Sequence, residues 1–399
     1  MAAMEKNNKT LNVPHLRFPE ISGEWEKTSF GECFSKVENG LTYDTDNTSG
    51  VPVTRIETIS DKSINYDRVG YANIDDKISK YEMQYGDVLF SHINSLKHIG
   101  KTAFYDAAQP LYHGMNLLLL RAKKSLDSKF LYYTLNTHKF LHRCQVLANQ
   151  AVNQASINTK ELKSINISVP QMQEQQKISG LISLLDERIE TQKKIIEKYE
   201  SLIRGISNKL LYATKGIPVR LGDILIERSE RTKRSNQHEV LSSTVKGIFS
   251  QREYFSKDIA SENNIGYKII HLHDVVLSPQ NLWMGNINYN DKYDIGIVSP
   301  SYKIFSIAEG YDKLFVSALL KTHRALYNYM LVSEQGASVV RRNLNMEAFE
   351  QLVFKMPPTD KQREVGNAIS ALQSRLELAV RVKTAYEKQK QWLLTEMFK

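Results

Sequence analysis

The stretch PQMQEQQKISGLISLLDERIETQKKIIEKY occupies residues 170–199, and PPTDKQREVGNAISALQSRLELAVRVKTAY occupies residues 357–386. Set 187 positions apart, they match without a gap at Pro170 and Pro357, Gln175 and Gln362, Ile182 and Ile369, Leu185 and Leu372, Arg188 and Arg375, Glu190 and Glu377, and Tyr199 and Tyr386. A regular segment that recurs once marks a duplicated domain, not a solenoid, which needs at least three units.

Both copies carry a heptad seam. Ile178, Ile182, Leu185, Ile189, Gln192, Ile196, Tyr199, Ile203, Ile206 and Leu210 follow at alternating spacings of four and three. The second copy runs Val365, Ile369, Leu372, Leu376, Ala379, Lys383, Tyr386, Lys390, Leu393 and Met397. Such spacing is the pattern of a coiled-coil helix. Pro170 suits the start of the first helix, Gly216 and Pro218 its stop, and Thr359 or Asp360 can cap the second. About 40 residues at roughly 1.5 Å each make a rod of about 60 Å, longer than a domain of about 150 residues is wide. Each helix must then reach beyond its own domain, and if the two pair along their length they run antiparallel, as a ruler between domains. The polar Gln192, Lys383 and Lys390 either set the register or lie where the seam opens.

The repeat continues upstream, its offset drifting as surface loops change length. Phe30-Gly31-Glu32 matches Leu221-Gly222-Asp223, Asp87-Val88-Leu89-Phe90-Ser91 matches Asp274-Val275-Val276-Leu277-Ser278, Gly100 matches Gly285, and Thr137-His138-Lys139 matches Thr322-His323-Arg324. The organisation is an N-terminal segment (1–24), a first domain (25–169), a long helix (170–216), a second domain (217–356) and a second long helix (357–399). Apolar runs at Val51 to Ile56, Asp87 to Phe90, Asn116 to Leu120, Val275 to Ser278 and Tyr302 to Phe305 predict strands. Ser128 to Leu141 and Asp312 to Tyr329 predict one helix per domain. The fold class is α+β, two tandem domains separated by two long helices in an antiparallel coiled coil, with pseudo-two-fold symmetry.

Hydrophobic residues make up 41% of the 399, enough for the cores of two or three domains. The net charge of +9 favours an anionic partner, most simply a phosphate backbone. Cys33 and Cys144 are too few for a disulfide framework or a thiolate metal site, so both are expected to be buried and the chain cytoplasmic. Residues 1–12 are polar, and no run approaches the roughly 18 apolar residues that span a bilayer, so no membrane partner is expected.

A nucleic acid is the partner this chemistry suits. A predicted strand ends in Ser91, His92, Asn94, Lys97 and His98, with Lys101 beyond, and its counterpart in Ser278, Gln280, Asn281, Trp283 and Asn286. Asn and Gln pair with adenine edges, whereas Lys and Arg contact guanine or phosphate. Gln150, Asn153, Gln154 and Ser156 precede the first long helix, and Arg341, Arg342 and Asn343 occupy the matching place before the second. Arg231, Lys233 and Arg234, with Arg228, form a basic cluster suited to phosphates. The plain alternative for each is a solvated polar loop.

Comparing the copies removes other chemistries. Gly100-Lys101-Thr102 resembles the end of a phosphate loop, but the first glycine of that motif would fall at Ser95, and only Gly285 is retained in the second copy. His271 and His273 could share a strand face beside Asp274, yet their equivalents are Gln84 and Gly86. His138 and His142 lack the glutamate of a zinc peptidase, and Glu161-Leu162-Lys163 finds no partner acid, so all read as surface. No glycine-rich dinucleotide motif or Asn-Pro-Pro-aromatic tetrapeptide occurs. The chain is expected to catalyse nothing by itself and to hold no metal or cofactor.

Variable domain, long helix, variable domain, long helix is an order that resembles the specificity subunit of type I restriction-modification enzymes. Val13-Pro14-His15-Leu16-Arg17-Phe18-Pro19, Trp25-Glu26-Lys27 and Phe30-Gly31-Glu32 look like the start of such subunits. Gly86-Asp87-Val88-Leu89-Phe90-Ser91 and Pro170-x-x-x-Glu174-Gln175-x-x-Ile178 look like its recurring elements. The second copy departs at His273 in place of Gly86 and Lys361 in place of Glu174. The resemblance covers essentially the whole chain and implies double-stranded DNA as partner and two target recognition domains, each reading half of a split DNA sequence, with the helices fixing the gap. It further implies docking of two methyltransferase subunits on helix residues among Ile178, Ile182, Leu185, Ile189, Ile196, Tyr199, Ile203, Val365, Ile369, Leu372, Leu376, Tyr386 and Leu393, and two motor-nuclease subunits. S-adenosylmethionine, ATP and magnesium would be used by those partners, the target adenine being flipped from the duplex. The rival is a stand-alone DNA-binding or adaptor protein that recruits another machine through its helices. A nuclease with dispersed carboxylates is the enzyme alternative.

Overall fold

The computed structural model describes residues 11–44, 46–60, 62–74, 78–150, 154–213, 215–254, 263–335 and 342–399. The chain divides into two compact units, one taking residues up to Thr191 with Val382–Lys399, the other Gln192–Arg381. Each unit holds one predicted domain plus half of each long helix, so the structural boundaries fall inside the helices.

The first unit is built on an antiparallel sheet in the order Phe34–Asn39, Leu118–Ala122, Val88–Phe90, Thr102–Phe104. Its central strands are apolar without alternation because both faces are covered. Val88, Phe90, Leu118 and Leu120 enter a core with Trp25, Phe30 and Phe130, while Leu89, Ala103, Leu117 and Leu119 enter another with Met83, Tyr105 and Leu111. A fully buried Leu or Phe stabilises the fold by about 1.5–3 kcal/mol. Cys33 and Cys144 lie in the first core, and burial pushes their thiols up to about 11 and about 12.

The second unit repeats the sheet order with Leu225–Arg228, Lys303–Ile307, Val275–Leu277 and Ile287–Tyr289. Val275, Leu277 and Phe305 again face one core, Val276 and Ile304 another. A second strand pair closes each domain, Glu26–Ser29 with Asn166–Val169 and Ile217–Arg220 with Val353–Met356.

Where a single helix was expected at Ser128 to Leu141 and at Asp312 to Tyr329, two stand in each place: Ser128–Leu135 and His138–Leu147 in the first domain, Lys313–Leu320 and His323–Leu331 in the second. The break has the same cause twice. The Thr137 hydroxyl accepts the Phe140 N–H, and the Thr322 hydroxyl accepts the Ala325 N–H, so each threonine caps a new helix instead of continuing the old one.

The long helices are Met172–Ala213 and Thr359–Glu396. Their shared glutamine has a shared task. Gln175 accepts the Asp127 N–H at 2.9 Å and donates to the Pro170 carbonyl at 2.8 Å, and Gln362 does the same with Asp312 and Pro357 at 2.9 and 2.8 Å. Each glutamine ties the start of a long helix to the capping aspartate of the domain helix beside it. In both units the helix halves run antiparallel. In the first, Leu393 and Met397 join Ile178, Ile182 and Leu185 in the core, Asp186 pairs with Lys390, and Arg188 lies 5.6 Å from the Tyr386 ring. In the second, Ile206 packs against the core holding Val365 and Ile369, and a cleft is lined by Ile203 and Ser207 on one helix and Ile369, Gln373 and Leu376 on the other. Of the other predicted seam positions, Gln192, Ile196, Tyr199 and Leu372 are half-buried, Ile189 and Ala379 are buried, and the Leu210 side chain lies outside the described residues. Lys383 bonds Glu387 on its own helix.

The two departures between copies also resolve. Glu174 is buried under a bidentate pair with Arg17 of the N-terminal segment, Nε and Nη2 each at 2.8 Å, whereas Lys361 bonds Glu364 of its own helix. Gly86 and His273 occupy the same left-handed turn, at φ 91° and 77°. In both, the following aspartate N–H donates back three residues, to the Gln84 and His271 carbonyls.

Candidate nucleic-acid interface

In the first unit, two stretches singled out above and far apart in sequence become one small sheet. Ala155–Ser156 lies between Asn149–Gln150 and Ile93–Asn94, with Ala155 opposite both Gln150 and Asn94. Gln150, Gln154, Lys97 and Lys101 are exposed and His98 is half-buried, so carboxamides and cations share one edge. Asn94 is partly engaged, donating to Ser91 Oγ at 3.2 Å and accepting the Ser95 N–H at 2.8 Å. Ser91 and His92 do not reach this edge: both are buried, and burial lowers the His92 pKa. Asn153 lies outside the described residues.

The second unit rebuilds the edge from equivalent positions. Ser333–Gln335 pairs with Arg342–Leu344, and the Arg342 N–H donates to the Gln280 carbonyl at 3.2 Å, as Ala155 pairs with Asn94. The Arg342 guanidinium lies 4.9 Å from the Trp283 ring. Gln280 is exposed and Asn281 half-buried beside it. Ser278 and Asn286 are inside, Asn286 accepting from Ser243 Oγ at 2.8 Å and donating to the Ser243 carbonyl at 3.0 Å. Arg341 lies outside the described residues.

Arg231, Lys233 and Arg234 are exposed, with Arg231 donating to the Gly266 carbonyl at 2.8 Å. Arg228 is instead held by Asp274 and Glu230, each at 3.2 Å. Its role is structural and has a counterpart. Asp274 accepts the His271 N–H, and in the first unit Asp87 accepts the Gln84 N–H while binding Arg121 through two 2.7 Å bonds. The two units thus brace the same aspartate with arginines from different strands.

The discarded motifs have ordinary places. Gly100 and Gly285 both adopt left-handed backbone, at φ 81° and 95°, so the shared glycine makes a turn, and Thr102 enters a strand. His271 bonds Glu230 at 2.8 Å, while His273 is carried by its turn to Tyr289 at 2.6 Å, so the two imidazoles do not converge. Among the described residues no group of three His, Cys, Asp or Glu is placed to hold a metal. No described helix is long and apolar enough to cross a membrane. One feature had no sequence signal: Lys321 donates to the Gly285 carbonyl at 3.0 Å and to Asn288 Oδ1 at 2.7 Å, fixing the glycine turn from a helix end.

Residues 22–201 match the family model described as the type I restriction modification DNA specificity domain. The chain is 28% identical over 415 residues to a putative type I restriction enzyme MjaX specificity subunit of Methanocaldococcus jannaschii, covering 97% of this chain and 95% of that protein. The MjaVIII specificity subunit of the same organism is 25% identical over 201 residues, 48% of this chain and 46% of that one. In fold, the chain is similar to the S subunit of a type I restriction-modification system from M. genitalium, with a TM-score of 0.64 and 15% identity over 97% of this chain and 99% of that one.

Proposed function

We propose that the chain is a specificity subunit of a type I restriction-modification enzyme, a reading supported by the family match over residues 22–201 and the likeness to the MjaX subunit, and that each unit reads one half of an asymmetric, split DNA target. The observation that carries this reading is the rebuilt edge. Equivalent stretches form it in both units, yet one edge presents Gln150, Gln154 and Lys97 and the other Gln280, Asn281, Trp283 and Arg342. The scaffold repeats while the side chains that can meet base edges do not, as two different half-sites require.

The net charge of +9 supplies the sequence-independent attraction, with Arg231, Lys233 and Arg234 on phosphates. The long helices set the number of base pairs between the halves and dock two methyltransferase subunits, which two motor-nuclease subunits join. Methyl transfer from S-adenosylmethionine and ATP- and magnesium-dependent translocation and cleavage belong to those partners, and this chain contributes recognition alone. Co-expression with a cognate methyltransferase subunit, followed by methylome sequencing, tests the proposal. Exchanging residues 25–169 for those of a relative should rewrite one half of the methylated motif and leave the other intact. A motif altered in both halves would refute modular reading.

A further inference from the structure

We infer that Arg342 reads a guanine, so that the half-site of the second unit contains a G·C pair contacted through this side chain; the inference rests on the DNA-reading role proposed above. The geometry singles out this arginine. Arg17, Arg121 and Arg228 are each committed to a carboxylate, and Arg231, in the phosphate cluster, spends one guanidinium nitrogen on the Gly266 carbonyl. Among the described residues, no hydrogen bond or ion pair engages the Arg342 guanidinium, which lies over the Trp283 indole at 4.9 Å. Its main chain is fixed on both sides, opposite Gln335 in the hairpin and bonded to the Gln280 carbonyl.

A guanidinium held against an aromatic ring by cation–π attraction keeps its N–H donors for another partner and loses less rotamer freedom on binding. Two parallel N–H donors on a rigid plane match O6 and N7 of guanine in the major groove, the commonest specific arginine contact with DNA. The platform is built for the purpose, since Trp283 sits on the short turn Leu282–Met284 whose Leu282 is buried in the core. Among the described residues the first unit has no such device at this edge. Ala155 stands at the position of Arg342 and is 2% exposed, and the corresponding turn, Leu96–His98, carries no indole. Its edge offers the carboxamides of Gln150 and Gln154, the chemistry that pairs with adenine.

The test uses the full chain in complex with its methyltransferase subunits. Methylome sequencing first gives the wild-type motif, and binding is then measured on duplexes altered one base pair at a time. Arg342→Gln should lower discrimination at a single G·C position of one half-site by roughly tenfold to hundredfold, leaving the other half unchanged. Arg342→Lys keeps the charge but not the fork and should lose the same discrimination. Trp283→Leu should weaken preference at that same position severalfold. A uniform loss of affinity across all sequences, with the salt slope reduced by about one, would identify a phosphate contact and overturn the inference. So would a wild-type half-site without a G·C pair, or variants that keep full discrimination. A complex that methylates without sequence preference would instead defeat the underlying reading, and with it this one.

Discussion

Tyr133 and Ala318 hold the same place in the two units, each four residues before the threonine that caps the next helix. In the first unit the Tyr133 ring fills the space between domain and helices. Its hydroxyl donates to Asp186 at 2.8 Å and meets Ser183 at 3.1 Å, while Lys390 crosses from the other helix to pair with Asp186, 5.5 Å from the ring. Burial, then Asp186, raises the phenol pKa. In the second unit alanine replaces the ring and Gln373 replaces Asp186, leaving a cleft of about 290 Å³ bordered by Ile203 and Leu376. One backbone therefore carries two packings, a filled polar network in the first unit and an open cleft in the second, where Ser207, Lys321 and Gln373 line it beside Ile203 and Leu376. A charged pair at a seam position is a device that specifies register, and Asp186 with Lys390 places one across the two helices of the first unit.

The contrast can be broken at several points. The largest effect should come from Tyr133→Ala, which empties the filled site and costs about 3–5 kcal/mol in denaturant unfolding, whereas Ala318→Tyr, filling the cleft, should stabilise by about 0.5–2 kcal/mol. Equal and small effects at both sites would show that the units do not differ in packing. Next comes acid. Burial moves His113 from 6.5 to about 4, with Nε2 at 2.9 Å from the Leu117 carbonyl, and the second unit has buried Val298 at the same offset. The folded pKa lies below the unfolded one, so the unfolded chain takes the proton first. Stability is full above pH 6.5 and falls by up to about 3 kcal/mol as pH drops toward 4. A pH titration of unfolding should show that slope, and His113→Leu should flatten it. The smallest effect concerns the left-handed turn. A side chain at Gly86 would meet Ser128 Oγ at 2.9 Å from its Cβ, so Gly86→His should cost about 1–2 kcal/mol. The reverse change, His273→Gly, gives up the bond to Tyr289 while relieving strain, and should shift the thermal midpoint less.

Much of the scaffold was legible because it obeys local rules written twice. The heptad seam predicted both long helices, and the paired glutamines and glycines proved to do the same work in each copy. The helix breaks were missed because Thr137 and Thr322 sit inside continuous apolar periodicity, where only the capping geometry betrays a new start. Strands were placed from runs of apolar residues, but the edge sheet joins two-residue strands about 60 positions apart, a pairing that no periodicity encodes. Ser91, His92 and Asn286 looked like surface polar groups, yet burial depends on what tertiary structure lays over them. From sequence Lys390 either sets the register or lies where the seam opens, because periodicity does not show that Asp186 stands opposite it.

The division of the helices bears on the order of synthesis. Residues 192–381 form a unit continuous in sequence, whereas the other unit needs Leu393, Leu394 and Met397 in its core and joins Leu16 to Glu396 across nearly the whole chain. Contacts so distant in sequence close late and slowly. A growing chain must therefore hold its first domain with an open helix-side face until residues 382–399 have left the ribosome, and the unit begun first is completed last.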